Sequence, residues 1–236
     1  MKCSSGVGFN PTVNGQHLNF EVFGLDREVL IMQDRETRTI WAHLDGRATR
    51  GPLQGQRMKI IALPQMTWGE WKRAHKDTLV LSNNTTFKNQ YRRFPIGDFD
   101  PREALYGDKR LPANALVVGV EVNGQYKAYP VDALSKAAGI LNDEINSLPI
   151  VVFFDASAKT GLAYSRVVGG KVLEFAPSET NASQLKDKAT GNLWDLQGRC
   201  VSQGCEGASL QFIPSFISEW YGWSAYHPDT ALYQIG

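Results

Sequence analysis

A chain of 236 residues is long enough for one large domain or two small ones. Its 25 lysines and arginines nearly balance its 24 aspartates and glutamates, and a net charge of +1 excludes a field that would gather nucleic acid or an anionic membrane surface. No apolar run approaches the roughly 18 residues that cross a bilayer, and the first residues lack the apolar core of a signal peptide. The sequence as given therefore predicts a soluble protein.

Residues 1–82 predict a β-rich unit. Asn14-Gly15 and Asp45-Gly46 are turn dipeptides that tolerate positive φ, and each separates two apolar, β-forming stretches. The run RMKIIAL (57–63) predicts a further strand. We therefore expect antiparallel hairpins in this part of the chain.

A short helix with an aromatic face is predicted from Trp68. Thr67 and Glu70 have the spacing of a capping box, which satisfies free amide donors at the start of a helix. Trp68, Trp71 and His75 then fall on one side of the helix. We expect this side to dock the helix onto a sheet, after which TLVL predicts a return to strand.

Residues 83–147 form a connector between two similar parts of the chain. The first half of this connector mixes acids, paired arginines and aromatics without helical or strand period. A stretch of this kind inside a compact protein is typically functional or mobile. The second half, ALVVGVEVNGQYKAYPVDALSKAAGI, predicts a hairpin at Asn123-Gly124 followed by a short helix.

Three aspartates of the connector, Asp98, Asp100 and Asp108, are candidate oxygen ligands for a hard divalent cation such as Ca²⁺. Their spacing lacks the acidic ladder and terminal glutamate of an EF-hand loop. The alternative, which we favour, is a solvated connector in which Asp108 pairs with Arg110 at the surface.

Candidates for binding a carboxylate or phosphate of a small ligand also lie in and near the connector. They are Tyr91, Arg92 and Arg110, together with Trp41 of the first unit. In the alternative interpretation these arginines only coat the surface of the connector.

Residues 148–236 repeat the first unit. Trp68, Trp71, His75, Asp77 and Thr78 recur at one constant offset as Trp220, Trp223, His227, Asp229 and Thr230. DRETRTIW (34–41) recurs as DKATGNLW (187–194), and VNGQHLNF (13–20) as VGGKVLEF (168–175), with shifts in register only where loops are expected. Ordered matches of this kind indicate an internal duplication.

The predicted fold is α+β and mainly β. Two duplicated β-rich halves with short helices are expected to be related by a pseudo-twofold axis and packed as one compact unit. The predicted boundaries are 1–82 for the first repeat, 83–147 for the unrepeated connector and 148–236 for the second repeat.

The two repeats differ at their start. LPIVVFF (148–154) is a buried strand ahead of the second repeat, whereas the first repeat begins at Cys3, level with the loop after that strand. The first repeat is therefore expected to have an uncovered sheet edge, and an open edge is a template for association. We expect a homodimer through this edge, or local disorder there.

A polar set recurs in both repeats. It comprises Asp34, Thr37, Trp41 and Arg47 in the first repeat, and Asp187, Thr190, Trp194 and Arg199 in the second. In one interpretation the aspartate and threonine close a turn, the tryptophan covers the sheet and the arginine pairs with the aspartate. In the other the set takes part in a reaction. The structural interpretation is favoured because paired sites rarely share one reaction.

The three cysteines, Cys3, Cys200 and Cys205, are too few for a disulfide scaffold. Because their number is odd, at least one stays free or pairs between chains. We expect Cys200 and Cys205 as small buried or half-buried thiols. A bridge between them in an oxidising compartment is the alternative.

The chain resembles a microbial family known as domain of unknown function 3179. The resemblance covers nearly the whole chain and rests on DRETRTIWAHLDGRATRGPLQG, TWGEWKRAHKDTLVL, GDKRLPANALVVGVEVNGQYKAYPVDAL and TGNLWDLQGRCVSQGCEGASL. It implies a strand and a Cys-x-x-Cys ahead of the first repeat, of which only Cys3 is present here. A redox or metal site formed by that pair is therefore not possible in this chain. His43 and Asn192 also replace a glutamine and a serine of the family pattern.

Two functions are compatible with the sequence. The first is a hydrolase of a small ester or lactone, in which an oxygen-ligated divalent metal polarises the carbonyl and Asp34, His75 or His227 serves as general base. The second is a non-catalytic binding module that holds a small molecule or a partner through its aromatic residues. Thiol chemistry at Cys200 or Cys205 is a third possibility. No nucleotide or organic cofactor is expected, because P-loop and Rossmann fingerprints do not occur.

Overall fold

The computed structural model describes residues 6–26, 29–64, 66–90, 108–157, 160–181 and 183–234. The strands are β1 (Gly8–Asn10), β2 (Thr12–Val13), β3 (Gln16–His17), β4 (Phe20–Asp26), β5 (Val29–Asp34), β6 (Ile40–Ala42), β7 (Ala48–Arg50), β8 (Lys59–Ile61), β9 (Leu116–Val122), β10 (Gln125–Pro130), β11 (Ile140–Ile145), β12 (Leu148–Asp155), β13 (Thr160–Ser165), β14 (Val167–Val168), β15 (Lys171–Val172), β16 (Phe175–Pro177), β17 (Leu185–Asp187), β18 (Leu193–Trp194), β19 (Phe212–Ile213), β20 (Ser215–Glu219) and β21 (Ala231–Leu232). The helices are α1 (Trp68–Ala74), α2 (Val131–Lys136) and α3 (Trp220–Tyr226), with a 3-10 turn at Lys88–Gln90. The fold is α+β and mainly β, as predicted.

The unrepeated hairpin is part of the core of the second half. β9 and β10 pair through the predicted Asn-Gly turn, and they lie between β20 and β21 in a sheet of order β20-β9-β10-β21. β11 joins a second sheet of order β11-β12-β13-β19. The two sheets face each other across one apolar cluster that includes Val118, Val120, Ile150, Val152 and Phe154.

β12 is buried on both faces, as its continuous apolar run predicts. Val152 and Phe154 face the β9–β10 sheet, and Val151 and Phe153 face a second cluster formed with β16, β17 and β18. The other face of the β9–β10 sheet carries α3 and the first repeat, where Val117 and Ala128 share a cluster with Trp220 and Trp223 and with Val29, Leu44 and Ile60.

Corresponding residues of the two repeats make corresponding contacts. Phe9 pairs with Ile60 between β1 and β8, and Tyr164 pairs with Phe212 between β13 and β19. The hairpin β2–β3 has the same register as β14–β15. The isolated bridge Arg47–Arg57 also has its counterpart, Arg199–Ser209. These matched pairings are what an internal duplication predicts.

The repeated Gly-Arg dipeptide has a steric cause. Gly46 and Gly198 both have positive φ (69° and 74°), and a Cβ on either would lie 2.7 Å and 2.8 Å from the ring of Phe9 and Tyr164 respectively. Any other residue would be strained by the positive φ, and its Cβ would clash with the facing ring, so both positions require glycine. The turn after β6 and β18 is therefore fixed in the same way in both repeats.

The first repeat lacks the strands that cover the second. β13 lies between β12 and β19, whereas β1 pairs only with β8 among the described strands. TALY forms β21 beside β10, but TLVL, predicted as a strand, is not one in the structure. The sequence pattern is the same in both repeats, but only the second has a neighbouring strand.

The two tryptophan-bearing helices have different environments. Trp220 and Trp223 of α3 are 0% and 1% exposed, which confirms the predicted docking face for this helix. Trp68 and Trp71 of α1 are 53% and 39% exposed. The docking prediction is wrong for α1 because no sheet of the described chain covers that side.

Candidate functional site

The best-formed depression lies where the α1 region of the first repeat meets the second repeat. It is an open cleft of about 330 Å³ lined by Met66, Arg73, Asn181, Ser183, Gln184, Asp195, Leu196, Gln197 and Arg199. These residues come from three separate segments of the chain, and although most of them are polar, the surface that they present to the cleft is mainly apolar. A mainly apolar concavity with a few convergent polar groups is typical of small-molecule sites.

One wall of the cleft is the turn that follows β18. The Asp195 carboxylate accepts hydrogen bonds from the backbone N–H groups of Gln197 and Arg199, both at 2.9 Å. The same carboxylate pairs with the Arg199 guanidinium through Nε at 2.9 Å and Nη2 at 2.8 Å. Because the turn and the ion pair share one carboxylate, the Arg199 head group is held in a fixed orientation beside Gln197.

The second wall is the loop between β16 and β17. Asn181 Oδ1 accepts the backbone N–H of Ser183 at 3.0 Å, which closes an Asx turn. Ser183 Oγ donates to Asp155 Oδ2 at 2.6 Å, and Asp155 is buried at the end of β12. The Ser183 hydroxyl in the cleft lining is therefore hydrogen-bonded to the buried Asp155 carboxylate.

The third side is α1, which contributes Arg73. Lys72 and Arg73 are exposed and correspond by the repeat to Ser224 and Ala225 of α3, which are buried. Small residues let α3 lie directly on the first repeat. Long charged side chains at the same positions are compatible with an open junction between α1 and the second repeat.

The lining of the cleft carries a net positive charge. The lining contains two arginines, Arg73 and Arg199, and one acid, Asp195, which is paired with Arg199. The uncharged members, Asn181, Gln184, Gln197 and Ser183, are amides or hydroxyls that both donate and accept hydrogen bonds. Such a lining is suited to a small anion with additional polar groups.

A second open depression, of about 450 Å³, shares Asp195 and Arg199 with this cleft and extends along Cys200 and Gly207. Cys200 and Cys205 form a disulfide with a Cα–Cα distance of 5.9 Å. The expectation of free thiols is wrong for this pair, since the loop between the cysteines turns back and brings them within bonding distance. The disulfide closes the loop that follows the Arg199 turn.

Asp34 and Trp41, named from the sequence as catalytic and ligand-binding candidates, lie away from the cleft. Both are fully buried, and Trp41 Nε1 donates to Asp34 Oδ2 at 2.8 Å. The same carboxylate accepts the backbone N–H groups of Thr37 and Thr39. Burial alone would raise the pKa of the Asp34 carboxyl, but the bonds from Trp41, Thr37 and Thr39 outweigh it and lower that pKa. Asp34 therefore closes a turn.

The arginine of the repeated polar set does not pair with the aspartate that closes this turn. Arg47 contacts Asp45 at 3.3 Å, and Arg199 contacts Asp195. The predicted pairing with Asp34 or Asp187 is wrong because each arginine lies on the next turn, beyond β6 or β18.

The two candidate histidines occupy equivalent positions in unequal surroundings. His75 is exposed at the end of α1 and contacts the Trp71 ring with a centroid distance of 4.2 Å. His227 is buried and stacks on Tyr126 of β10 at 3.9 Å. Burial, with the nearby positive charges of Arg57 and Arg47, lowers the pKa of His227 to about 3. His227 is thus neutral in the folded protein.

The surroundings of His227 form a closed polar junction between the first repeat and β9. Arg57 of the first repeat makes a two-pronged ion pair with Glu121, and Arg47 Nη2 approaches the Tyr126 hydroxyl at 3.5 Å. Arg47 corresponds by the repeat to Arg199, which lines the open cleft at α1, whereas Ser209 and His75, the counterparts of Arg57 and His227, do not line it. Around His227 the space is filled by side chains.

Asp108 and Arg110 form the ion pair expected from the sequence, with an N–O distance of 2.6 Å. Arg110 Nη1 also donates to the Thr230 carbonyl, and the guanidinium lies over the Trp220 ring at 5.3 Å. The pair therefore anchors the end of the connector to α3. The Arg110 guanidinium holds the pKa of the Asp108 carboxyl below its ordinary value.

Four of the predicted site residues, Tyr91, Arg92, Asp98 and Asp100, lie outside the described residues. Within the described ranges, no group of three or more His, Cys, Asp or Glu side chains is arranged to hold a metal ion. The predicted calcium site therefore stays a prediction.

Arg73, Asp195 and Arg199 lie in the segments TWGEWKRAHKDTLVL and TGNLWDLQGRCVSQGCEGASL, but their spacing matches no catalytic or binding motif that would mark them as site residues. A more informative comparison is between repeats: Arg73 stands where the other repeat has a buried alanine.

The chain belongs to the family described as "Protein of unknown function (DUF3179)", whose model matches residues 2–230. Comparison with curated proteins and with solved structures gave no match. Among the described residues, no helix has the length and apolar character needed to span a membrane.

Proposed function

We propose that this family member binds a small anionic molecule, a carboxylate or a phosphate ester, in the cleft between α1 and the second repeat. The observation that carries the proposal is the placement of Arg73 and Arg199 in one cleft with a single acid, Asp195. Guanidinium groups bind carboxylate and phosphate through paired N–H donors. The amides of Asn181, Gln184 and Gln197 can then select polar groups elsewhere on the ligand.

The proposal assigns unequal tasks to the two arginines. Asp195 orients the Arg199 guanidinium, so that its remaining N–H groups point in a fixed direction. The Asp195 carboxylate also neutralises the positive charge of Arg199. Arg73 is exposed on α1 and supplies the uncompensated positive charge. A singly charged ligand with hydroxyl or amide substituents is therefore favoured over an apolar acid.

A thermal-shift screen of the intact protein tests this proposal. The panel contains hydroxy acids, dicarboxylates and sugar phosphates, each with its neutral amide or unphosphorylated analogue. A ligand that binds the native state raises the melting temperature, and we expect the anions to do so while their neutral analogues do not. Calorimetric titration of each hit then gives its affinity.

Two variants locate the binding site. Arg73→Gln is expected to weaken binding at least tenfold, because one charge-assisted hydrogen bond contributes about 1.5–3 kcal/mol. Lys72→Gln is the matched control, since Lys72 is also exposed on α1 but does not line the cleft. Equal losses from the two variants would show a general charge effect and would rule out a site in the cleft.

Hydrolysis of a small ester or lactone is a second proposal for the same cleft. The hydrogen bond from Ser183 Oγ to the buried Asp155 carboxylate supports it, because a carboxylate can accept the hydroxyl proton as oxygen attacks a carbonyl carbon. The alkoxide of the ester would leave with the proton from the Asp155 carboxyl, and water would then hydrolyse the acyl-serine, which releases the acid and restores the Ser183 hydroxyl.

Turnover of a panel of esters and lactones, measured with and without EDTA, decides between the two mechanisms of hydrolysis. Loss of turnover in Ser183→Ala without an effect of EDTA supports the serine route. Loss with EDTA alone supports the metal-assisted route with Asp98, Asp100 and Asp108. Absence of turnover for every substrate argues against hydrolysis and leaves the binding proposal intact.

A further inference from the structure

The exposed side of α1 is matched in the second repeat by a side that is fully covered. Trp71 Nε1 donates to Thr78 Oγ1 at 2.8 Å, and Trp223 Nε1 donates to Thr230 Oγ1 at 2.9 Å. The histidine one turn later contacts each ring, at 4.2 Å in the first repeat and 4.4 Å in the second. The tryptophan is therefore held in the same local arrangement whether or not it is covered.

In the second repeat the cover is a β-hairpin. β9 pairs antiparallel with β20 just before α3, and β10 pairs parallel with β21 just after it. Gly119 of β9 lies directly against Trp223, so closely that a Cβ there would be 2.1 Å from the ring. A β-hairpin with a glycine opposite the tryptophan therefore covers the ring. Its two strands form backbone hydrogen bonds with the strand before the helix and the strand after it.

Among the described residues, no strand covers the corresponding surface of the first repeat. We call it the Trp71 surface and define it as Leu63, Trp68, Trp71, Leu79, Val80 and Leu81. Their exposures run from 39% at Trp71 to 94% at Leu79 and Leu81. Leu79 and Val80 correspond to the two residues of β21 but belong to no strand. A contiguous apolar surface with an unpaired backbone edge is typical of an interaction site.

Only part of the Trp71 surface recurs in the second repeat. Both tryptophans recur, as do the histidine and the threonine beside them, whereas Leu79 and Val80 stand where the second repeat has Ala231 and Leu232.

We propose that the Trp71 surface binds a β-hairpin supplied by another polypeptide, in the manner in which β9–β10 covers α3. The partner hairpin has alternating apolar residues and a glycine opposite Trp71. One of its strands pairs parallel with Leu79 and Val80, as β10 pairs with β21 in the second repeat. Strand addition of this kind gains affinity from backbone hydrogen bonds and specificity from the side-chain pockets.

The test uses a synthetic peptide of residues 114–131, which has the sequence of the chain's own hairpin and contains no tryptophan. Trp41, Trp194, Trp220 and Trp223 are already buried, so a change in tryptophan emission reports on Trp68 and Trp71. The peptide is first shown to be monomeric by sedimentation and is then titrated into the intact protein. We expect a saturable blue shift of the emission.

Three variants make the result specific. Trp71→Ala in the protein and Gly119→Leu in the peptide are each expected to weaken binding at least tenfold, because the first removes the ring and the second fills the space for it. Phe23→Ser is the control, since Phe23 is 56% exposed on β4, close to the 53% of Trp68, but lies outside the Trp71 surface. Its peptide affinity is expected to equal that of the parent protein.

The proposal is overturned if the peptide does not bind, or if it binds Trp71→Ala as tightly as the parent protein. It is also overturned if the protein forms a dimer that Trp71→Ala dissociates while the peptide does not bind. That result would assign the surface to a second copy of this chain, whereas the homodimer expected from the sequence uses the open sheet edge at the start of the first repeat.

Discussion

Replacing Gly119 by alanine tests the packing that holds the second repeat together. The added Cβ would lie 2.1 Å, 2.3 Å and 2.5 Å from three ring carbons of Trp223. Ordinary contacts between carbon atoms are about 3.5–4.0 Å, so the ring or the strand must move by more than 1 Å. Trp223 has little freedom to move, because it contacts Phe216 and Tyr126 and is hydrogen-bonded to Thr230.

The expected loss follows from this crowding. Overpacking of a filled core costs about 1–3 kcal/mol and sometimes more, and we expect Gly119→Ala at the upper end, at about 3 kcal/mol. For a chain of this size each kcal/mol lowers the melting temperature by about 2–4 °C. The melting temperature of Gly119→Ala should therefore fall by roughly 6–12 °C.

Gly24→Ala is the matched control for this experiment. Gly24 is also a strand glycine without positive φ, but a Cβ there meets no atom within 4 Å. Alanine has a smaller backbone entropy cost than glycine, so this variant should be neutral or slightly more stable. Calorimetry or urea unfolding measures both variants. A Gly119→Ala protein within 1 °C of the parent, or an equal loss in Gly24→Ala, would contradict the packing of β9 against α3.

Two further predictions concern buried polar groups. The pKa of His227 is lowered to about 3 by burial and by Arg57 and Arg47, whereas an unfolded histidine titrates near 6.5. Between these values the unfolded chain binds a proton that the folded chain does not, so the free energy of unfolding should fall by up to about 1.4 kcal/mol per pH unit on acidification. His227→Phe should remove this slope in urea titrations from pH 7 to pH 4, and an unchanged slope would assign the acid sensitivity to other groups. Asp34→Ala leaves the buried Trp41 N–H without its acceptor, whereas the Trp194 N–H has no partner to lose. Asp34→Ala should therefore destabilise the protein by about 1–3 kcal/mol more than Asp187→Ala, and equal losses in chemical denaturation would refute this reasoning.

Much of the fold could be predicted because turn dipeptides and the spacing of apolar residues determine many of its strands locally. The Asn-Gly turn between two alternating runs predicts β9–β10, and the unbroken apolar run predicts the doubly buried β12. TLVL shows the limit of such patterns, since it resembles TALY but is not a strand. A strand requires a partner edge, and the presence of that edge is a property of the tertiary structure.

The cleft could not be predicted from spacing. Asp195 and Ser183 come from loops that only the sheet topology brings near α1, and neither belongs to a catalytic or binding motif. The cysteine pair shows the same limit. A separation of five residues is compatible with two thiols or with one bridge, and the conformation of the intervening turn decides between them.

The comparison between repeats is more informative than either repeat alone. A duplication begins with two identical junctions between a helix and the opposite repeat, so later differences separate structural from functional demands.

At the α3 junction, Arg57 pairs with Glu121, and His227 and Tyr126 fill the space between the halves. Near α1, Arg73 stands where α3 has an alanine, and it lines an open cleft together with Arg199, the counterpart of Arg47. One junction has thus been closed by charge pairing, while the other has kept an unbalanced positive charge in an open space. An exposed charge in the last turn of a short helix contributes at most about 1 kcal/mol to stability. Its presence beside fixed hydrogen-bonding groups is therefore the strongest reason to look for an anionic ligand there.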